Sequence, residues 1–205
     1  MERLKIYLRD KVLDLAKICS KNSATSLSML LAMDVVPNSN AINTKPIDDL
    51  FRIPDDNIVV ISDISGDLSG TMIASFKSDD GMKIINKMLG RDVNLIKDLE
   101  KTETDVLTEY INVIGGSFLT EFSNRTGHNC LPEIPNFEGR FKEVQELMVA
   151  QLRSINDHIL LINSSMYIAK LKADAVFYIL FDNDSLNLVI NAITKGVEDE
   201  PFENV

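Results

Sequence analysis

Apolar residues recur along this chain with two different periods, and these periods divide it into predicted helices and strands. A period of 3.6 residues indicates a helix, and a short β-branched or apolar run between turn residues indicates a strand. The predicted helices are 3–20, 22–34, 78–90, 98–114, 116–126 and 184–194. The predicted strands are 57–62, 68–76, 157–164 and 174–182, and residues 139–152 fit either type. This mixture of elements predicts an α/β fold.

Turn residues mark the limits of several of these elements. The stretch 37–40 predicts a turn after an apolar pair, and 63–67 predicts a turn between two strands. Ser78 is the predicted N-cap of the helix that follows it, and Gly90 is its predicted stop.

One predicted helix carries three polar residues on one face. Asp105, Glu109 and Asn112 fall within about 60° of one another, because each residue of a helix advances by roughly 100°. The rest of the helix circumference is apolar and predicts the buried side. Most patterns of this kind are simply solvated helix faces, so the spacing alone does not decide between solubility and function.

The chain also contains an internal repeat. A shift of 95 residues places Asp10 on Asp105 and Asp14 on Glu109, and it continues through Ser28 on Ser123. Further along, a shift of 105 residues places the stretch 76–88 on 181–193. Two copies of one unit require equivalent helices and strands. The repeat therefore predicts one pseudo-twofold symmetric domain, with a central, mainly antiparallel sheet flanked by helices and the two polar-faced helices side by side.

Composition excludes several classes of function. The chain has 205 residues, 45% of them hydrophobic, and a formal net charge of −10. Nucleic-acid binding needs Lys and Arg to neutralise phosphates, so this acidic balance argues against it. The sequence shows no apolar run of the roughly 20 residues that a membrane span needs and no signal peptide, so we expect a cytoplasmic protein without membrane insertion.

Metal and cysteine chemistry are weakly represented. The two histidines, His128 and His158, stand apart from any ligand spacing, which predicts no metal site. Cys19 and Cys130 are too few for a disulfide framework, and Cys19 lies on the predicted buried arc of its helix. Any phosphate chemistry would therefore depend on a metal ion that a partner supplies.

The polar helix face belongs to a longer motif. Three residues separate Asp105 from Glu109, two separate Glu109 from Asn112, and 22 separate Asn112 from Pro135. This spacing resembles the signature of the CheC/CheX/FliY phosphatases, chemotaxis proteins that remove phosphate from the response regulator CheY. That family is also built by duplication, so the resemblance covers nearly the whole chain. It implies a domain over 1–196, with halves of about 1–92 and 96–196, followed by an acidic tail at 197–205.

The resemblance implies a mechanism and two catalytic residues. A CheY-type regulator would bring its own Mg²⁺ and lysine, so this chain would need no cofactor of its own. Asn112 would position the attacking water, since a carboxamide can accept and donate at once. Glu109 would grip the regulator's lysine, while Asp105 would either extend the docking surface or only solubilise the helix. In the first half Asp14 and Lys17 replace this pair, which predicts a degenerate site.

A non-catalytic alternative is also open. Members of the family bind CheD, a receptor-modifying deamidase, and some relatives belong to the flagellar switch. If residues 138–152 form a helix, Phe141 and Met148 lie in one apolar stripe. Such a stripe is more often core than interface, and it is held here as a candidate CheD contact. This chain would then be an adaptor or a switch component rather than a hydrolase.

Overall fold

The structure is a computed structural model that describes residues 2–43, 53–91, 99–143, 145–146 and 160–198. The acidic tail beyond residue 198, Met148 and His158 therefore lie outside the described residues. The helices are α1 (Glu2–Leu31), α2 (Ser78–Leu89), α3 (Lys101–Thr126) and α4 (Asn183–Glu198). The strands are β1 (Val35–Asn43), β2 (Ile58–Gly66), β3 (Gly70–Phe76), β4 (Cys130–Pro132), β5 (Asn136–Arg140), β6 (Leu160–Ile168) and β7 (Ala173–Phe181).

These strands form one sheet whose centre lies between the two halves of the chain. The order is β1-β6-β7-β3-β2-β4, with β5 also paired to β2, and every pairing among the described strands is antiparallel. At the centre, Ile73 of β3 pairs directly with Tyr178 of β7. The sequence shift of 105 maps Ile73 onto Tyr178, so a pseudo-twofold axis passes between them. The predicted antiparallel, duplicated fold is confirmed.

The first strands of the two halves are exchanged. β1 follows the first helix but pairs with β6 of the second half, and β4 and β5 follow α3 but pair with β2 of the first half. Each half thus completes its sheet with a strand from the other half. Pairing, not only packing, joins the two copies.

The two long helices bury equivalent faces. Under the shift of 95, each residue of α1 from Tyr7 onward that is buried falls on a buried residue of α3. The pairs are Val12 with Leu107, Leu15 with Tyr110, Ala16 with Ile111, Cys19 with Ile114, Ser20 with Gly115, Ser23 with Phe118, Ala24 with Leu119, Leu27 with Phe122 and Leu31 with Thr126. The same apolar stripe therefore drives both helices onto the sheet.

Hydrogen bonds repeat across the axis as well. The hydroxyl of Ser28 accepts from the backbone N–H of Val35 at 3.0 Å, and Ser123 accepts from that of Cys130 at 3.0 Å. A second equivalent pair joins strand ends to helix starts: the N–H of Asp174 donates to Asp80, and the N–H of Ser69 donates to Ser185. Side chains that fix the exit and entry of the helices are thus shared by both copies.

Two predicted helix breaks are wrong. The sequence predicts separate helices on either side of residue 21 and of Gly115, whereas α1 and α3 each run without interruption. Hydroxyl groups in α1 bond back to the carbonyl one turn earlier, as Thr25 does to Lys21 at 3.0 Å, so they stay compatible with the helix. Burial of one continuous face outweighs the low helix propensity of the Ser, Asn and Gly residues.

Other predicted boundaries also shift. The predicted turn at 37–40 is part of strand β1, and residues 63–66 of the predicted turn 63–67 belong to β2. Ser78 is not the N-cap: Lys77 occupies that position, and the Ser78 hydroxyl donates to the carbonyl of Asp56 at 2.7 Å. Gly90 ends α2 in the left-handed conformation, as predicted.

Comparison of the two halves also identifies a residue with an unfavourable backbone conformation. Ala32 follows α1 with φ 51°, at the position where Gly127 follows α3 with φ 71°. A left-handed conformation costs a residue with a Cβ roughly 1 kcal/mol more than it costs glycine. We expect Ala32→Gly to raise the free energy of unfolding by about 1 kcal/mol, a shift of roughly 2–4 °C in Tm. Thermal unfolding measures this shift.

Gly127→Ala is the matched control for that change. A Cβ at this position would meet no atom of the described residues within 4 Å, so the penalty comes from the backbone conformation. It should lower the free energy of unfolding by about 1 kcal/mol. If both substitutions changed Tm in the same direction, the left-handed conformation would not be the cause.

Candidate functional site

Glu109 and Asn112 lie on the outer side of α3, opposite its buried stripe. Glu109 is exposed and Asn112 is half-buried. Tyr110 and Ile111, between them in sequence, are fully buried, and the Tyr110 ring meets Phe76 edge-on with centroids 5.1 Å apart. These anchors fix the rotation of the helix, so the carboxylate and the carboxamide project together from a rigid support.

Neither side chain is engaged by the part of the chain that the structure describes. No residue of the described ranges forms a hydrogen bond or salt bridge with Glu109 or Asn112. The polar atoms of the pair are therefore available to a partner or to water, which is what docking and water positioning require.

Asp105 is in a different state. The Lys101 ammonium donates to both of its carboxylate oxygens, at 2.9 and 2.8 Å. Both side chains are exposed, and an i,i+4 pair of this kind contributes only a few tenths of a kcal/mol. The charge of Asp105 is partly neutralised, whereas the carboxylate of Glu109 has no ion-pair partner in the ranges that the structure describes.

On the equivalent face of α1, the two residues at the positions of Glu109 and Asn112 pair with each other. Lys17 donates to Asp14 at 3.0 Å, and both side chains are exposed. An ammonium cannot accept a hydrogen bond, and here it also occupies the carboxylate one turn earlier. The structure thus adds a geometric reason for expecting a degenerate first site.

The two polar-faced helices cross at small polar residues. The Asn22 side chain donates to the carbonyl of Ser117 at 3.3 Å, and the shift of 95 maps Asn22 onto Ser117, so the pseudo-twofold axis passes here too. Ser23 donates to the carbonyl of Ile114 at 2.9 Å, and the Ser117 and Ser26 hydroxyls lie 2.6 Å apart. The predicted side-by-side placement of the helices is confirmed, and the crossing lies beyond Asn112 along α3.

The remaining predicted contact residues have separate outcomes. Phe141 is fully buried in one cluster with Ile53, Val59 and Leu180, on the sheet face opposite the helices, so its ring belongs to the core and is not exposed for docking. Its partner in the predicted stripe, Met148, lies outside the described residues. Pro135, the last residue of the motif, is buried between β4 and β5.

We also searched the described part of the chain for reactive thiols, metal-binding groups and membrane-spanning helices. Burial raises the pKa of the Cys19 thiol to about 12 and also raises that of Cys130, so neither is a ready thiolate. The described residues contain no group of three or more His, Cys, Asp or Glu side chains able to hold a metal ion. Among the described helices, none is long and apolar enough to cross a membrane.

Sequence reasoning missed two features of this face. Lys101 pairs with Asp105, which the i,i+4 spacing of opposite charges could have indicated. The sequence predicts Gly116 only as the first residue of a separate helix, although in the continuous α3 it lies within about 40° of Asn112 around the helix and one turn beyond it.

Comparison with solved structures identifies the fold. The chain is similar to Thermotoga maritima FliY (20% identity, 92% of this chain and 96% of that chain, TM-score 0.69). It is also similar to a chain of the Borrelia burgdorferi CheX–CheY–BeF3–Mg²⁺ complex (15% identity, 83% and 99%, TM-score 0.59). A third similarity is to a chain of the H. pylori FliG–FliM complex (10% identity, 90% and 98%, TM-score 0.67).

At these identities the comparisons establish the fold alone. No protein-family model and no curated protein matches the sequence. The chain therefore has the fold of the CheC/CheX/FliY family, as the motif and the repeat indicated, and it shares that fold with FliM.

Proposed function

We propose that this chain is a phosphatase that hydrolyses the aspartyl phosphate of a CheY-type response regulator. The observation that carries the proposal is the unengaged Glu109 and Asn112 pair on α3, set in a CheX-like fold, next to a copy whose equivalent residues pair with each other. A fold shared with non-catalytic proteins would not by itself favour an enzyme. The chemistry of this helix face does.

Asn112 acts on the attacking water. Its carboxamide oxygen accepts a hydrogen bond from the water, which turns an oxygen lone pair toward the phosphorus in line with the aspartyl oxygen. The new P–O bond forms as the bond to the aspartate breaks, which releases inorganic phosphate and a carboxylate. Phosphoryl transfer depends mainly on positioning and on charge stabilisation, so one well-placed amide contributes strongly.

Glu109 holds the partner in place. Its free carboxylate, one turn before Asn112, pairs with the lysine of the regulator's phosphorylation site, and Asp105 stays with Lys101. The regulator brings the Mg²⁺ that balances the phosphoryl charge. On this assignment the chain contributes docking and water positioning, and no metal site of its own.

The decisive experiment measures phosphate release from a CheY-type regulator phosphorylated with acetyl phosphate, with and without this chain. A rate that rises in proportion to the amount of added chain supports the proposal. An unchanged rate, at concentrations where the chain binds the beryllofluoride-activated regulator, would contradict catalysis and leave a binding role.

The second candidate is a structural role in a flagellar assembly. The likeness to FliY and to FliM, the latter solved with FliG, favours it, as does the self-paired first site. This role predicts binding to FliG without any effect on regulator phosphorylation. A CheD-binding role keeps little support, because Phe141 is buried.

A further inference from the structure

Two adjacent glycines of α3 have opposite surroundings. A Cβ at Gly115 would lie 2.5 Å from Cε of Met72 and 2.7 Å from its sulfur, so the end of this flexible side chain would have to move to admit it. A Cβ at Gly116 would meet no atom of the described residues within 4 Å. Packing against Met72 thus favours a small residue at position 115, whereas the described residues give no such reason at position 116.

Glycine at position 116 also opposes the stability of the helix. In the middle of a helix it is among the least favourable residues, and alanine in its place would fit without a clash. A glycine that lowers helix stability, and that packing among the described residues does not require, indicates that a binding partner needs the space.

Helix geometry shows what a side chain at this position would cover. Side chains on a helix lean toward its N-terminus and cover the turn before their own Cα. Position 116 is one turn after Asn112 on the same face, about 6 Å along the axis. Any side chain at 116 would thus lean over the carboxamide that positions the water.

The degenerate half supplies a comparison within the same molecule. The shift of 95 places Lys17 at the position of Asn112 and Lys21 at the position of Gly116, and Lys21 is exposed. In the half where Lys17 replaces the proposed catalytic Asn112, a long side chain, Lys21, stands at the position of Gly116.

We propose that Gly116 is a clearance residue of the phosphatase site, which leaves bare helix surface where the regulator's phosphorylated loop approaches Asn112. This inference rests on the proposed function and adds to it a steric condition: the phosphoryl group must come close to the helix backbone on the C-terminal side of Asn112. The Asn112 side chain is short, so its reach sets how near the phosphoryl group must lie.

The test uses Gly116→Ala and Gly116→Gln, an uncharged series of increasing size. Both should raise Tm, by about 2–4 °C for alanine. Both should lower kcat/KM for the phosphorylated regulator, by about tenfold for alanine and about a hundredfold for glutamine, the scale of loss expected from misplacing a reactant by an ångström. Affinity for the beryllofluoride-activated regulator should fall in the same order.

Lys21→Ala and Lys21→Gln, at the equivalent position of the first half, are the matched controls and should keep wild-type activity. Full activity in Gly116→Gln would overturn the clearance role while leaving the phosphatase proposal intact. A fall in Tm together with activity would show that Gly116 serves the fold, and would overturn it too. A wild-type chain that neither binds nor dephosphorylates the regulator would remove both proposals.

Discussion

Asn112→Ala is expected to abolish most of the stimulated dephosphorylation, with a loss of about a hundredfold or more in kcat, since positioning of the nucleophile supplies a large part of the catalysis. Alanine has neither the oxygen that accepts from the water nor the amide that donates. Among the described residues none bonds to Asn112, so its removal leaves no unpaired group inside the protein. The free energy of unfolding should change by less than about 0.5 kcal/mol.

Single-turnover decay of the phosphorylated regulator separates this loss from weaker binding. The decay rate at saturating Asn112→Ala should approach that of the regulator alone, while affinity for the beryllofluoride-activated regulator stays within a few-fold of wild type. Asn112→Asp, which keeps the shape but adds a negative charge beside the phosphoryl group, should be equally inactive. A variant that unfolds, or one that keeps its rate, would contradict the assigned role.

Glu109→Ala is expected to weaken regulator binding and activity together, with a loss of about tenfold or more in kcat/KM, because a charge pair that fixes the docked geometry is removed. Glu109 is exposed and has no salt-bridge partner among the described residues, so the change should not disturb the fold. The wild-type affinity should also fall with rising salt more steeply than that of the variant. Titration with the beryllofluoride-activated regulator at two ionic strengths measures both effects.

The first half offers the symmetric control. Asp14→Ala combined with Lys17→Ala removes the equivalent pair and should leave activity nearly unchanged, because the ammonium of Lys17 cannot accept a hydrogen bond and so cannot position a water as Asn112 does. If this double variant lost as much activity as Asn112→Ala, a single-site mechanism would be wrong. The face of α1 would then be a docking surface in its own right.

The sequence predicted most reliably what depends on a repeating period. The buried stripe of α3 follows from its 3.6-residue periodicity, which also places Glu109 and Asn112 on the opposite side. The two shifts of 95 and 105 predicted the pseudo-twofold axis, because copies of one unit must make equivalent contacts. The central pairing of Ile73 with Tyr178 is the direct result.

The sequence failed where distant contacts override local preference. Residues 37–40 have turn composition, yet they lie in a strand because β6, more than 120 residues away, supplies the ladder. Residues 139–152 fitted either a helix or a strand, and the structure contains both: β5 ends at Arg140, and residues 141–143 and 145–146 are helical. The ring of Phe141 nevertheless lies in the core, because the contacts of the sheet and not the helical period decide its burial. Gly116 could not be interpreted from propensity alone, since the open space around it is a property of the fold.

The exchange of first strands determines how such a protein can diverge. Because β1 completes the second half's sheet and β4 with β5 complete the first half's, deletion of either copy would leave the other with an unpaired edge and half a core. A copy whose site has decayed is therefore retained in full as scaffold. Its outward positions, such as those of Asp14 and Lys17, are exposed and take no part in the core, while its buried face packs on the sheet as that of its partner does. One half can therefore lose its site residues, but it cannot lose the strands and the buried face that complete the other half.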